Sequence, residues 1–454
     1  MSYDKRAAME FAAELSGNVR EEYTLDKRMV TDQGVKRGLR NADGTGVLAG
    51  LTKIGRVLGY HMDDGMRVPE EGKFYYRGID VADIVEANRR AGTFGYEEVA
   101  HLLLVGKLPN SGEKKRFDEV LSKSRDLPAG FNEDVLLKLP SYDVMNKIAS
   151  STLALYSYDL EADDNSLENM LRISIELIGR LPILVANAYA VKRHYYDKKS
   201  LYIHQQRENL SLAENFLRMI RMDKQYTDAE ARLLDTMLVL HAEHGGGNNS
   251  AFVCRALAST GTDTYSVISG AIGSLKGPLH GGANRKVMEM FHHIKEKVTD
   301  PGNDAQMKDY LAKLLAGTEG DGSGKIYGVG HAVYTLSDPR TIIIKEQARA
   351  VAEGVGMLKD FELMESVERV GVPLLMEYKN QTMPTCANVD LYSGLIYGML
   401  GIPQPLYTPL FAIARISGWC AHRIEETMTG GRIMRPAYRA AVKDRAYVPM
   451  EERE

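Results

Sequence analysis

Four stretches of the sequence set histidine, aspartate or arginine among glycines. In GSLKGPLHGGANRKVMEMF, residues 273–291, His280 stands between Gly277-Pro278 and Gly281-Gly282, just ahead of an expected helix. Glycine lets the backbone approach a ligand closely, and proline ends the preceding element. A histidine held there, beside the exposed N–H groups of a new helix, can act on a bound oxygen. The plain alternative is a turn histidine that meets water. In HAEHGGGNNS, His241 and His244 lie three apart, on one face at the end of a helix. Gly245–Gly247 should end that helix, and Asn249 or Ser250 is expected to cap the next. The pair can bind a metal, hold an oxyanion or carboxylate, or serve only as a cap. HExxH is absent, and no acidic ligand follows at a familiar spacing.

In YGVGHAVYTLSDPR, His331 follows Gly328 and Gly330, which again suits close backbone approach to a ligand. Asp338-Pro339 reads as a turn starter. Arg340 keeps its charge and presents a flat fork that fits a carboxylate; the alternative is a surface arginine on an ordinary loop. In ANVDLYSG, Asp390 precedes an uncharged, apolar helix. A carboxylate facing such a helix is costly unless paired, hydrogen-bonded or used. Desolvation would raise its pKa and make it a better base, and aspartate is also a good N-cap. Arg415, Trp419 and His422 share one helix face in ARISGWCAHRIEE. Arg432, Arg435, Arg439, Lys443 and Arg445 follow in a basic run. Such a run is ordinarily a solvated face, and no nucleic-acid fold signal accompanies it in this acidic chain.

These residues need a scaffold, and the pattern for it is mostly helical. Thr227-Asp228-Ala229-Glu230 has the form of a capping box, followed by Leu233, Leu234, Met237, Leu238 and His241 at helical spacing. Leu167–Lys192 reads as a long apolar helix bent at Pro182, and Glu97–Val105 as a helix closed by Gly106 and Pro109. VLAGLTKIGRVLGY and KFYYRGI suit a small hairpin-like sheet. The expected class is therefore all-α with minor β structure near the N-terminus. Leu391–Ala414 carries no formal charge, but Pro403, Pro405 and Pro409 interrupt it. It reads as two buried helices joined by a proline loop, not a membrane span. GTEGDGSGK, residues 317–325, reads as a mobile loop. It fails as a P-loop, because Glu319 and Ile326 stand where glycine and Ser or Thr are required.

Composition agrees with a soluble globular protein: 454 residues, 44% hydrophobic and 26% charged, net charge −4. That balance gives no push toward nucleic acid or an anionic membrane. The three cysteines form no CxxC pair, which argues against a structural zinc site and fits a reducing compartment. The charged N-terminal segment has no apolar core of a secretory signal, so a cytoplasmic location is expected.

GPLHGGAN, GVGHAVYTLSDPR and NVDLYSG, in this order, resemble the citrate synthase family. HAEHGGGN, RISGWCAH, RPAYR, YYRGIDV and EEVAHLLLVGKLPN fit the same family, from about Val47 to Arg439. The resemblance implies a catalytic trio of His280, His331 and Asp390. It implies an oxaloacetate site of His244, Arg340 and Arg415, completed by Arg435 from a partner subunit, with His241 a weaker assignment. Lys325, Gly328 and Gly330 are the candidates for coenzyme A contact, by loop position. The implied fold is a large helical domain (1–280 and 391–454) with a small helical domain (281–390) inserted, working as a homodimer. Gly281 and Gly282 are candidate hinges. Gly245 departs from the family, where many relatives carry glutamate. The N-terminal region lacks a clear match to the extra sheet domain of NADH-regulated hexamers.

The implied reaction joins acetyl-CoA to oxaloacetate and hydrolyses citryl-CoA, with no permanently bound cofactor or metal. Asp390 would take the methyl proton, His280 would stabilise the enolate oxygen and His331 would protonate the new alkoxide. The nearest rival is a 2-methylcitrate synthase using propionyl-CoA, since one methylene is worth only about 1–3 kcal/mol of discrimination. Two rivals of other classes are a metal-dependent hydrolase built on His241 and His244, and a non-catalytic helical scaffold.

Overall fold

The computed structural model describes residues 5–25, 27–41, 43–300 and 302–453. The chain divides into two compact units, Met1–Gly50 and Leu51–Glu454. The first holds α1 (Lys5–Tyr23), α2 (Lys27–Asp32) and a short antiparallel bridge between Arg40 and Gly46.

The second unit opens with a three-stranded antiparallel sheet of β1 (Gly55–Asp63), β2 (Met66–Tyr76) and β3 (Ile79–Asp80). The hairpin turn is Asp64-Gly65, with φ of 45° and 78°. Two positive φ values in a two-residue turn match the right-handed twist of the strands, and an Asp-Gly pair tolerates them. The sheet begins later than the apolar run starting at Val47 suggested, because Leu48 and Leu51 are exposed.

Helices follow to the end of the fold. They are α3 (Val81–Ala91), α4 (Tyr96–Val105), α5 (Ser111–Lys123), α6 (Val144–Leu155), α7 (Leu167–Tyr195), α8 (Leu212–Ile220) and α9 (Asp228–His241). Then come α10 (Asn249–Ala258), α11 (Thr264–Lys276), α12 (Ala283–Lys297), α13 (Asp304–Leu315), α14 (Pro339–Gly354), α15 (Leu358–Lys379), α16 (Asp390–Met399) and α17 (Tyr407–Met428). The all-α expectation is met, with the sheet as its minor β part. The Thr227 capping box starts α9: Thr227 Oγ1 accepts from Glu230 N, and the Glu230 carboxylate accepts from Thr227 N. Gly106 closes α4 in the left-handed region that glycine enters without strain. α7 continues through Pro182 to Tyr195. It is long and apolar enough to cross a membrane, but 83% of its apolar window is buried inside the fold.

α17 is the central strut. It packs on α4, α7, α9, α10 and α11, and almost every side chain from Tyr407 to Ile424 is buried. A second group forms around α15 and α16, with α13 and α14 against α15 and α12 against α16. The α14–α9 and α12–α17 contacts join the two groups. The uncharged Leu391–Ala414 stretch is α16, a short proline-containing turn and the start of α17. Pro409 lies inside the first turn of α17 and not in the loop, a place where its missing N–H costs nothing.

Candidate active site

His244 sits in the turn after α9, and the sheet supports it. The buried Tyr76 hydroxyl accepts from Glu243 N at 3.2 Å and donates to Val239 O at 2.7 Å. The Phe74 ring packs 5.4 Å from the His244 ring. His244 Nε2 is buried with no hydrogen-bond partner. Burial, then the charge of Arg340, hold its pKa well below the ordinary histidine value, so the ring is neutral. His241 is buried beside it: its Nδ1 meets Met237 O at 2.8 Å, its Nε2 has no hydrogen-bond partner, its ring packs on Phe411, and burial lowers its pKa to about 3. Among the described residues, no group of three His, Cys, Asp or Glu side chains could hold an ion.

His280 lies in the turn between α11 and α12. Its Nε2 is 3.3 Å from Ser250 N and 3.0 Å from Ser250 Oγ. A backbone N–H can only donate, so Nε2 is the acceptor and the proton of the neutral ring is on Nδ1. Burial, and secondarily Arg415, lower the His280 pKa to about 4. The helix whose N-terminus opposes a second proton is α10, not the adjacent α12. Sequence reading cast Ser250 as a cap. Instead α10 starts after Asn248, and Ser250 Oγ accepts from Trp419 Nε1 at 3.1 Å. Trp419 thus props the serine that orients His280.

His331 Nδ1 accepts from both Val333 N and Tyr334 N at 3.0 Å, which leaves the proton on Nε2. Its ring stacks on Tyr334 at 4.5 Å and meets His244 edge-on at 5.3 Å. The glycines before it serve a purpose the sequence did not disclose. Gly328–Gly330 pairs with Cys386–Asn388: Gly330 N donates to Cys386 O at 2.8 Å, and Asn388 N to Gly328 O at 2.9 Å. A Cβ on Gly328, at φ +82°, would stand 2.8 Å from Leu391 Cα. The close approach is to α16, and it ties the His331 loop to the residue after Asp390. Lys325 is exposed at the end of the glycine-rich turns.

Asp390 is the first residue of α16 and half-buried. It is not spent as a cap; Asn388 Oδ1 accepts from Asp390 N at 3.0 Å. Burial raises its pKa to about 6, against the opposing pull of Arg340. Arg340 is no surface arginine. It is buried and held by Asp338 through Nε to Oδ1 at 3.0 Å and Nη2 to Oδ2 at 2.7 Å. Asp338 also caps α14 and accepts from Val389 N at 3.2 Å. The supposed turn starter is therefore a bracket between Arg340 and the Asp390 segment. Arg415 is fully buried, and its Nε donates to His241 O at 2.7 Å. Its Nη1 and Nη2 are both buried with no partner. Arg415 is felt electrostatically by His241, His244, His280 and Asp390, which brings the HAEH histidines and two of the trio around one guanidinium. Arg435 is exposed in the coil after α17.

Residues 42–437 match the family described as citrate synthase, C-terminal domain. The chain belongs to the citrate synthase family. A citrate synthase of Synechocystis sp. is 33% identical over 428 residues, 94% of this chain and 96% of the relative. The 2-methylcitrate synthase 1 of Corynebacterium glutamicum is 32% identical over 431 residues, 93% and 100% of the two chains. Among solved structures, the ternary complex of carboxymethyl coenzyme A and oxaloacetate with the citrate synthase of Thermoplasma acidophilum aligns with TM-score 0.76 at 26% identity. It covers 92% of this chain and 99% of its own. The protein is accordingly an enzyme, an acyltransferase of the citrate synthase type. Glu243, Ser250, Tyr334 and Asp338 also adjoin the candidate site and are not among the residues the sequence singles out for it. Asp338, two residues before Arg340, Glu243, one before His244, and Tyr334, three after His331, had local signals; Ser250 is joined to His280 only by the fold.

Proposed function

We propose that this member of the citrate synthase family condenses acetyl-CoA with oxaloacetate and hydrolyses the citryl thioester, releasing citrate and coenzyme A. The observation that carries the reading is Arg415: a fully buried guanidinium with two unpartnered Nη groups, beside the Asp338-bound Arg340. Burying such a charge without partners is costly, and a dicarboxylate ligand would supply them. Charged hydrogen bonds of this kind contribute roughly 1.5–3 kcal/mol each.

The chemistry follows from the proton positions. Asp390 removes a proton from the thioester methyl group, while His280 Nδ1–H donates to the thioester oxygen as charge develops there. The enol carbon bonds to the ketone carbon of oxaloacetate, and His331 Nε2–H protonates the ketone oxygen as it becomes an alkoxide. The backbone N–H groups on His331 Nδ1 favour the electron-rich ring that this transfer leaves. Water then attacks the thioester carbonyl, the C–S bond breaks, and the thiol of coenzyme A departs with a proton.

Several finer points belong to the same reading. The segment 281–390 is the small domain and closes over the rest, 1–280 and 391–454, with Gly281 and Gly282 as hinges; closure excludes water until condensation is complete. Lys325, Gly328 and Gly330 line the coenzyme A path. The enzyme is a cytoplasmic homodimer, and Arg435 reaches the partner's site; its exposure on a coil supports this. Propionyl-CoA as the preferred donor is a second reading, favoured by the near-equal identity to the Corynebacterium glutamicum 2-methylcitrate synthase 1. Coenzyme A release should require both oxaloacetate and an acyl donor. Parallel assays with acetyl-CoA and propionyl-CoA, compared as kcat/KM, decide the donor, and no release with either defeats the proposal.

A further inference from the structure

We propose that Glu243 is a positioning residue for oxaloacetate, locking the turn that carries His244 and countering the Arg415 charge while leaving both Nη groups open. This rests on reading Arg415 as the carboxylate grip. Glu243 is fully buried, one residue before His244. Its Oε1 accepts from Gly245 N, on the far side of His244, and from His422 Nε2 at 2.9 Å. The orientation of His422 is fixed, because its Nδ1 accepts from Arg255 Nε at 3.0 Å. Arg255 in turn donates through Nη1 to Glu426 at 2.9 Å and through Nη2 to Glu425. One continuous chain of bonds thus runs from the end of α17 to the His244 turn.

The second oxygen, Oε2, is buried with no hydrogen-bond partner. Backbone crowds it: a Cβ on Gly418 would stand 2.6 Å from Oε2, and one on Gly55 would stand 2.9 Å from Glu243 Cγ. Burial alone would raise the Glu243 pKa, but His422 and Arg415 outweigh it and hold the carboxylate ionised. The dependence is mutual. Burial lowers the Arg415 pKa to about 10, and Glu243 is the foremost charge opposing that fall. Yet the two do not touch: Arg415 Nε is engaged by His241 O, and the Nη groups stay unpaired. A direct salt bridge would occupy the atoms that a substrate carboxylate needs. A counter-charge at one remove stabilises the cation without competing for them.

The test uses full-length Glu243→Gln and Glu243→Asp proteins. Gln keeps the size and removes the charge; Asp keeps the charge and shortens the reach. The expected result for Gln is an oxaloacetate KM raised at least about tenfold with kcat changed less than about threefold. Asp should restore at least half of the lost affinity on a logarithmic scale. Oxaloacetate binding is also read directly from the fluorescence of the single tryptophan, Trp419, which touches Ser250. An unchanged KM and binding constant for Gln overturns the inference, as does an Asp protein that binds worse than Gln. If Gln fails to fold, the Asp protein alone decides: an affinity loss beyond about thirtyfold with charge retained overturns it. Wild-type protein that binds no oxaloacetate overturns the reading of the site and this inference with it. Normal wild-type binding together with an indifferent Gln protein overturns this inference alone.

Discussion

The backbone N–H of Ser250 stands 3.3 Å from His280 Nε2, and this one donor decides which nitrogen of the ring carries the proton. It cannot reverse its polarity as a hydroxyl can, so the Nδ1–H tautomer is fixed by the start of α10. Nitrogen-15 NMR of labelled protein should find His280 with a protonated Nδ1 and a bare Nε2. The ring should stay neutral down to about pH 4, the value to which burial lowers it. An Nε2–H tautomer, or titration near the ordinary histidine value, would contradict the assignment of His280 as the neutral donor.

Asp390 should set the acid limb of the rate. Its pKa is raised to about 6, and the base works only when ionised. The value of kcat/KM for the acyl donor should therefore fall roughly tenfold per pH unit below that point. Oxaloacetate bound as proposed would neutralise Arg340 and Arg415, the two charges that pull this pKa down, so the limb at saturating oxaloacetate should lie higher still. Stability runs the other way. The folded-state pKa lies above the ordinary 3.8, so the Asp390 contribution is most favourable below 3.8 and is lost as pH rises through about 6. Asp390→Asn should reduce turnover by roughly 10²–10⁴ and leave oxaloacetate affinity within about threefold. Equal losses of binding and turnover would assign it a gripping role instead.

Gly328→Ala tests the tie between the two loops. The new Cβ would press on Leu391 Cα at 2.8 Å, in a backbone conformation of φ +82° that alanine avoids. A destabilisation of about 1–3 kcal/mol is expected. It should come with a loss of kcat larger than that of a comparably destabilising core change such as Leu177→Ala, because Asp390 adjoins the strained residue. Thermal melts paired with kinetics check both.

Arg435 can be tested by mixing. Arg435→Ala and Arg415→Ala proteins should each be nearly inactive. If Arg435 acts across a dimer, refolding an equal mixture makes hybrid dimers with one intact site. Random pairing then restores about a quarter of wild-type sites. No recovery, with hybrids confirmed by mass, would mean that Arg435 does not serve a partner.

Much of the site was legible in the sequence because its residues sit in short, glycine-bracketed motifs whose local conformation is dictated nearby. His280 and Asp390 lie at helix boundaries, which are written in turn and cap residues, and His331 lies in a glycine-bracketed loop between α13 and α14. The all-α class and the two buried helices of the uncharged stretch were legible for a similar reason, since periodicity is a local property. One role of the glycines was not legible: Gly328 makes room for the close approach of Leu391.

What the sequence by itself determined is the inventory: which side chains can move a proton or hold a carboxylate, and which helices can carry them. The tertiary structure alone decided their states. Ser250 reaches His280 across 30 residues, and His422 reaches Glu243 across 179. Protonation, tautomer and basicity depend on burial and on charges a few ångströms away in space, whatever their distance along the chain. Arg415 reads in the sequence as one arginine on an apolar helix, and only the packing of α17 buries it with two donors unpaired.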